Sequence, residues 1–200
     1  MDNFLDTCII LAKFDEKNKF HKNSNDFIGI NKNLIISFYQ EKKEIPFLFF
    51  RKEKMIMEAI KYSSNSNYLP DLKDLTQKDK IIFSKMLTKM KLGELTKQEL
   101  IIEFRRDFFI LKQGVMNFIK NGPLKKVIPL EKIDLLLVEQ IKDKISNTAD
   151  SNILASAIQE HQENKLIIVT NDAKDIKKEY LLEVLKGTKY SDVPEIKYLF

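Results

Sequence analysis

The sequence predicts an α/β fold: a three-layer arrangement with a central, mostly parallel sheet flanked by helices, plus an inserted helical hairpin. Three observations predict it. Short apolar runs (NFLDTCIIL, IPFLFF, KKVIPL, KLIIVT) are separated by stretches whose apolar residues recur every three or four positions. Single strands buried on both faces and alternating with helices are the pattern of a parallel sheet. The stretch 71–121 lacks any strand-like run and keeps a helical period throughout, which marks it as an insert in, or extension of, one domain spanning 1–200.

In chain order, Asn3 to Leu11 reads as the first buried strand, with Asp6 inside an otherwise apolar run. A polar stretch follows from Asp15 to Asp26. Asn31 to Glu41 pairs Leu34 with Phe38 and Ile35 with Tyr39 at i, i+4, which predicts a helix. Ile45 to Phe50 reads as the second strand. From Lys52 the stripe Met55, Ile56, Ala59 and Tyr62 is helical, and Ser63 to Asp74 has loop composition around Pro70. Thr76 to Lys91 and Thr96 to Lys120 form the hairpin around Gly93, with Thr96 and Glu99 spaced as a capping box. Lys125 to Leu130 predicts a short strand and Glu131 to Ile145 a helix. A further helix starts near Asn147 and Thr148, and Lys165 to Thr170 is a buried strand.

At 200 residues and 44% hydrophobic content, the chain can bury one full core. The net charge of +5 permits a polyanion partner, but only Arg51, Arg105 and Arg106 can offer a bidentate fork. One cysteine excludes an internal disulfide, and with two histidines it cannot make a familiar zinc site. No apolar run reaches the length of a membrane span, and the start carries Asp2 and Asp6 where a secretory signal carries basic residues. The expectation is a cytoplasmic protein. His21 and His161 read as surface groups, so Cys8 has no evident base for nucleophilic chemistry.

The acids carry the functional signal. Asp6 and Asp172 stand where buried strands finish, and open parallel sheets bind ligands beyond the carboxyl ends of their strands. An Asp at such a place also serves as a turn former or helix cap. Asp150 precedes Ile153, Leu154 and Ala157 at helical spacing, and Glu58 lies three residues after Met55 and four before Tyr62, so both fall on apolar stripes. Buried carboxylates need a cation or hydrogen bonds. The neighbours on these stripes are apolar or small, so a divalent ion of the hard, oxygen-loving kind, Mg²⁺ or Mn²⁺, is the expected partner.

FLDTCII, then ADSNILASAI, then LIIVTNDAKDI together resemble the signature of the PIN-domain ribonucleases, a family that includes toxins of toxin–antitoxin pairs. The resemblance covers residues 1–14, 45–62 and 125–176. It implies a PIN-like sandwich and a divalent-metal-dependent endoribonuclease. Asp6, Asp150 and Asp172 would be catalytic metal ligands, with Glu58 as the match to the family's second acid. Thr7, Thr170, Asn171 and Asp175 would support them. Cys8 stands where the family has Asn, a departure that puts one supporting hydrogen bond in doubt. RNA and an antitoxin protein are the implied partners, and the apolar face Ile101/Phe104/Phe108 of the helical stretch, which is longer than the family needs, is a candidate surface for the antitoxin or a second copy of the chain. Arg105, Arg106, Lys85 and Lys89 in the helical insert are the expected phosphate contacts. Two alternatives stay open: a PIN-like scaffold that binds RNA or protein without cutting, and a DNA-directed nuclease of related fold. A haloacid-dehalogenase-like phosphatase also begins with strand–Asp but is strongly disfavoured, since it needs a second Asp where Cys8 stands.

Overall fold

A computed structural model describes residues 1–200 except 66, 130, 132, 146 and 191. Parts of three expectations therefore lie outside the described residues: Ser66 of the loop, Leu130 at the end of the third run, and Lys132 of the helix after it. The chain divides into two compact units, one made of 1–45 and 114–200, the other of 46–113.

The first unit is the α/β body. Strands β1 (Asp2–Leu5), β2 (Leu34–Ser37), β3 (Leu124–Ile128), β4 (Leu166–Thr170) and β5 (Glu195–Tyr198) form one sheet in the order β3-β2-β1-β4-β5. Every ladder is parallel. In register, Phe4 pairs with Ile35 on one side and Ile168 on the other, so β1 lies at the centre. From β1 the chain proceeds outward to β2 and β3, then returns to add β4 and β5 on the opposite side. The order therefore reverses between β1 and β4, the place where such sheets open a crevice for ligands.

Helices cover the sheet. Phe4, Ile35, Ile128 and Ile168 join Leu137 and Ile141 of α7 (Leu135–Lys142), Leu154 and Ile158 of α8 (Thr148–Glu163) and Leu181 of α9 (Lys178–Leu185) in one buried cluster. Side chains alternate along a strand, so Leu5, Leu34, Ile36 and Val169 serve the other face and are likewise buried. There α1 (Thr7–Phe14) packs on α2 (His21–Ile30) and against β4, contributing buried Ile9 and Ile10. Each fully buried Ile or Leu stabilises this body by roughly 1.5–3 kcal/mol relative to exposure.

The second unit is helical. It takes in α3 (Ile45–Ser64) from Pro46 onward, α4 (Gln77–Lys91), α5 (Lys97–Glu103), a π-helical turn (Phe104–Phe108) and the start of α6 (Phe109–Asn121). Its core gathers Met55, Ala59, Leu75, Phe83 and Leu100. The capping box of Thr96 and Glu99 is present, and Thr76 with Asp79 makes a second one at the start of α4. Gly93, with φ of +73°, follows the α4 C-cap in the left-handed region that glycine adopts without strain.

Three element assignments differ from the sequence reading. The first strand stops at Leu5, because Asp6 takes φ −67° and ψ 150° as the N-cap of α1. The second strand is Leu34–Ser37, within the segment expected to be a helix. Ile45 to Phe50 opens the long helix α3 instead of forming a strand. A short apolar run does not by itself distinguish a buried strand from one turn of a helix, and Pro46, which has no N–H to give, directly follows the π-helical turn Gln40–Glu44, where the regular i to i−4 bonding is already interrupted. Among the described residues, no helix is long and apolar enough to cross a membrane.

Candidate functional site

At the switch point Asp6 directly follows β1 and Thr170 ends β4. The Asp6 backbone N–H still donates to the Val169 carbonyl over 2.9 Å, which carries the ladder one residue past the strand and fixes the carboxylate at the sheet's carboxyl edge. The Thr170 hydroxyl donates to Asp6 Oδ2 over 2.6 Å and the Cys8 thiol donates to the same oxygen over 2.9 Å. Both bonds favour the charged carboxylate, yet burial outweighs them. With a further push from Asp172, it leaves the Asp6 carboxyl above its ordinary range.

Cys8 corrects one expectation. In place of a missing hydrogen bond, the thiol supplies one to Asp6 and accepts another from the Asn171 backbone N–H over 3.2 Å. Burial first, and the Asp6 charge second, push the thiol well up, so Cys8 is a hydrogen-bond donor and a poor nucleophile.

Beyond β4, the Asp172 N–H donates to Thr170 Oγ1, while Asp172 Oδ1 accepts from the N–H groups of Lys174 and Asp175. Asp172 is thus a turn former, and its charge bears on its neighbours as well. Asp150 sits in the first turn of α8, half-buried, with Oδ2 accepting from Asn147 Nδ2 over 2.6 Å. Burial, then the charges of Asp6, Asp172 and Asp175, push its carboxyl up to about 7. Asp6, Asp150, Asp172 and Asp175 therefore form one electrostatic neighbourhood. Among the described residues, neither Asp6, Asp150 nor Asp172 pairs with a Lys or Arg.

A further acid that sequence reasoning missed joins them. Glu44 ends a π-helical turn, Gln40–Glu44, and accepts a hydrogen bond from the Thr7 hydroxyl. Thr7 thus holds Glu44, where the resemblance had it supporting Asp6 or a water. Behind it Gln40 is fully buried: its Nε2 donates to the Leu5 carbonyl over 2.8 Å and to Thr7 Oγ1 over 3.2 Å, while its Oε1 accepts from the Ser37 N–H. Ile45 is fully buried too. An unbroken α-helix would set Gln40 and Ile45 about 140° apart, whereas the wider i to i+5 turn turns both inward with Glu44 between them. Tyr39 is raised by burial, then by Glu44 and Asp150, so these two acids act on one side chain.

Glu58 has a different setting. It belongs to the helical unit, where Lys61 Nζ donates to Oε1 over 2.8 Å, and the Tyr68 hydroxyl and Asp71 N–H donate to Oε2 over 2.7 and 2.8 Å. Burial tends to raise its carboxyl, but those bonds prevail and hold it below the ordinary value. The choice of Glu58 followed from taking Ile45 to Phe50 as the second strand. Once that strand is Leu34–Ser37, the acids that follow it on a helical turn are Glu41, which pairs with Lys42, and Glu44, which Thr7 holds. The available signal was position: Glu44 directly precedes the apolar run that opens α3.

Among the supporting residues, Thr170 bonds Asp6, Asp175 caps Asp172 through its N–H, and Asn171 Nδ2 donates to Ser24 Oγ over 3.4 Å. Lys85 and Lys89 lie exposed on α4, and Arg105 and Arg106 exposed on the π-helical turn, all in the helical unit. His161, expected at the surface, is buried, with Nδ1 3.1 Å from the Leu166 backbone where β4 begins.

Among the described residues, no three His, Cys, Asp or Glu side chains stand close enough as placed to hold a metal ion. The donor chemistry nonetheless fits a hard divalent cation: desolvated carboxylates raised by neighbouring acids, with no Lys or Arg ion pair among the described residues. Compared with protein-family models, with curated proteins and with solved structures, the chain matches none.

Proposed function

We propose that this chain is a divalent-metal-dependent endoribonuclease of the PIN type. The observation that supports it is the coupling of Asp6 and Asp150: two carboxyls on separate elements, each raised by burial and by neighbouring acids, with no Lys or Arg ion pair to either among the described residues. Such an arrangement destabilises the fold unless a cation is bound, and sites of this kind belong to function.

Asp6, Asp150 and Asp172 would hold Mg²⁺ or Mn²⁺, with Glu44 in the place first given to Glu58. The ion, when bound, supplies positive charge opposite a scissile phosphate and acidifies a water. The chain's own residues do the positioning. Thr170 and Cys8 grip Oδ2 of Asp6. Asn147 fixes Asp150, the turn at Lys174 and Asp175 fixes Asp172, and Thr7 with Gln40 fixes Glu44. In the reaction water attacks phosphorus, the bond to the 3′ oxygen breaks, and that oxygen takes a proton. A toxin partnered by an antitoxin is the biological setting that the resemblance offers.

The test is cleavage of labelled single-stranded RNA and matched DNA by purified protein with Mg²⁺, Mn²⁺ or EDTA, beside an Asp6→Asn/Asp150→Asn double variant. RNA cutting that needs metal and disappears in the variant is the expected result. Cutting that persists in the variant or in EDTA, or no cutting under any condition, overturns it.

A further inference from the structure

The helical unit carries the entire net charge of the protein. Residues 46–113 hold fourteen Lys and Arg against nine Asp and Glu, whereas the rest of the chain balances at twenty against twenty. All three arginines fall in this unit.

The same unit exposes phenylalanine. Phe47, Phe50 and Phe109 are 51%, 48% and 53% exposed. Single exposed apolar residues are ordinary, but these rings lie on two adjoining helices. Phe49 of α3 packs edge-on against Phe108 at 5.8 Å between ring centres, and Lys112 of α6 reaches Glu53 over 3.0 Å. Phe47 and Phe50 stack one turn apart, with the Arg51 guanidinium 5.0 Å from the Phe47 ring centre. Lys52 and Lys112 each stand 5.8 Å from the Phe108 ring centre, and Arg105 and Arg106 precede Phe109 by one turn.

We infer that this face of α3, the π-helical turn and α6 docks single-stranded nucleic acid, with bases stacking on Phe47, Phe50 and Phe109 and phosphates meeting Arg105 and Arg106, while Arg51, already paired with Asp79 over 2.8 Å, backs the Phe47 ring. The ring chemistry selects the single strand, because a duplex hides the base faces that a phenyl group can cover. Phe offers no hydrogen bond, so the contact is indifferent to sequence. The charge selects a polyanion over a protein surface. The inference rests on the proposed reaction for its choice of RNA as the strand.

The test measures binding of short labelled RNA, single-stranded and duplex, to the full-length protein in EDTA by fluorescence anisotropy. Wild type is expected to prefer the single strand. Phe47→Leu/Phe50→Leu and Phe109→Leu should each weaken it roughly tenfold without shifting Tm, and Phe→Trp versions should keep it. Arg105→Ala/Arg106→Ala should weaken binding and flatten its salt dependence. Affinity unchanged in the Leu variants, or a preference for duplex, overturns the inference. So does a dimeric wild type that the Leu variants make monomeric at constant RNA affinity, which would identify a protein interface. Ring-dependent binding without any cleavage upholds this surface and fails the nuclease reading; cleavage with ring-independent binding does the reverse.

Discussion

Cys8 Sγ and Thr170 Oγ1 share one acceptor, Oδ2 of Asp6, from opposite sides of the β1–β4 ladder. The two donors come from residues 162 positions apart and meet because the parallel register sets Leu5 beside Val169. Removing either donor leaves the buried carboxylate to the other donor and the Thr7 backbone N–H. Thr170→Val should therefore reduce metal-dependent cleavage about 10- to 100-fold, since losing a hydrogen bond to a charged group costs roughly 1.5–3 kcal/mol. Cys8→Asn, which keeps a donor, should cost much less. Cleavage rates for the two variants, measured beside their melting temperatures, decide this.

The Cys8 thiol is raised by burial and by Asp6, so little thiolate exists near neutral pH. Iodoacetamide should alkylate the native protein far more slowly than the unfolded one at pH 8, and Asp6→Asn should speed the reaction. Mass spectrometry over a time course gives the rates; equal labelling of native and unfolded chains would contradict the buried, donor-type thiol.

Asp150, pushed up to about 7 by burial and then by neighbouring charge, links stability to pH. Its folded carboxyl lies above the unfolded one, so the native state binds the extra proton. Its contribution is intact below the unfolded value, near 4, and stability falls as pH rises from about 4 to 7. The side chain is half-buried, so the loss in the metal-free protein is discounted to on the order of 1–2 kcal/mol. Asp150→Asn should gain stability at pH 8 over wild type and little at pH 4. Mg²⁺ should raise Tm more at pH 8 than at pH 5 in wild type and lose that difference in the variant.

Glu44 and Glu58 should separate in a paired experiment. Glu44→Gln is expected to lower cleavage at least a hundredfold with little change in Tm. Glu58→Gln should leave kcat intact while costing about 1.5–3 kcal/mol of stability, because Lys61, Tyr68 and the Asp71 N–H all bond its charged form. The opposite assignment of effects would return the fourth acid to Glu58.

Gly122 offers a purely structural check. A Cβ built there would lie 2.2 Å from the Phe118 carbonyl oxygen, a backbone atom that cannot swing aside. Gly122→Ala should destabilise by about 1–3 kcal/mol as read by denaturant unfolding, and a neutral result would mean that the turn into β3 adopts another path.

Much of this was legible in the sequence. KLIIVT is a strand, Asn147 does start α8, and Asp6, Asp150 and Asp172 do share one neighbourhood. What escaped were places where tertiary contact overrides local pattern. LIIS is shorter and more polar at its end than IPFLFF, yet it is the strand, because Ser37 and Gln40 satisfy each other inside the core. No periodicity reveals that. Glu44 sits in a run of charges, QEKKE, that reads as a solvated face until the π-helical turn rotates it inward. His161 stands near a helix end, a surface position in isolation, and is buried because β4 begins directly against it.

The strand order also fixes a timetable for synthesis. β1 is among the first segments made and β2 follows it early, yet its other partner β4 emerges only after more than 160 residues, with the whole helical Pro46–Gln113 unit made between them. Helical, local structure of that kind forms on faster timescales than distant strand pairing. During translation the β4 side of the first strand therefore stays unpaired until after the helical unit has been made. Slow codons or a chaperone acting on residues 1–45 would change the yield of this protein more than the same intervention on its helical middle.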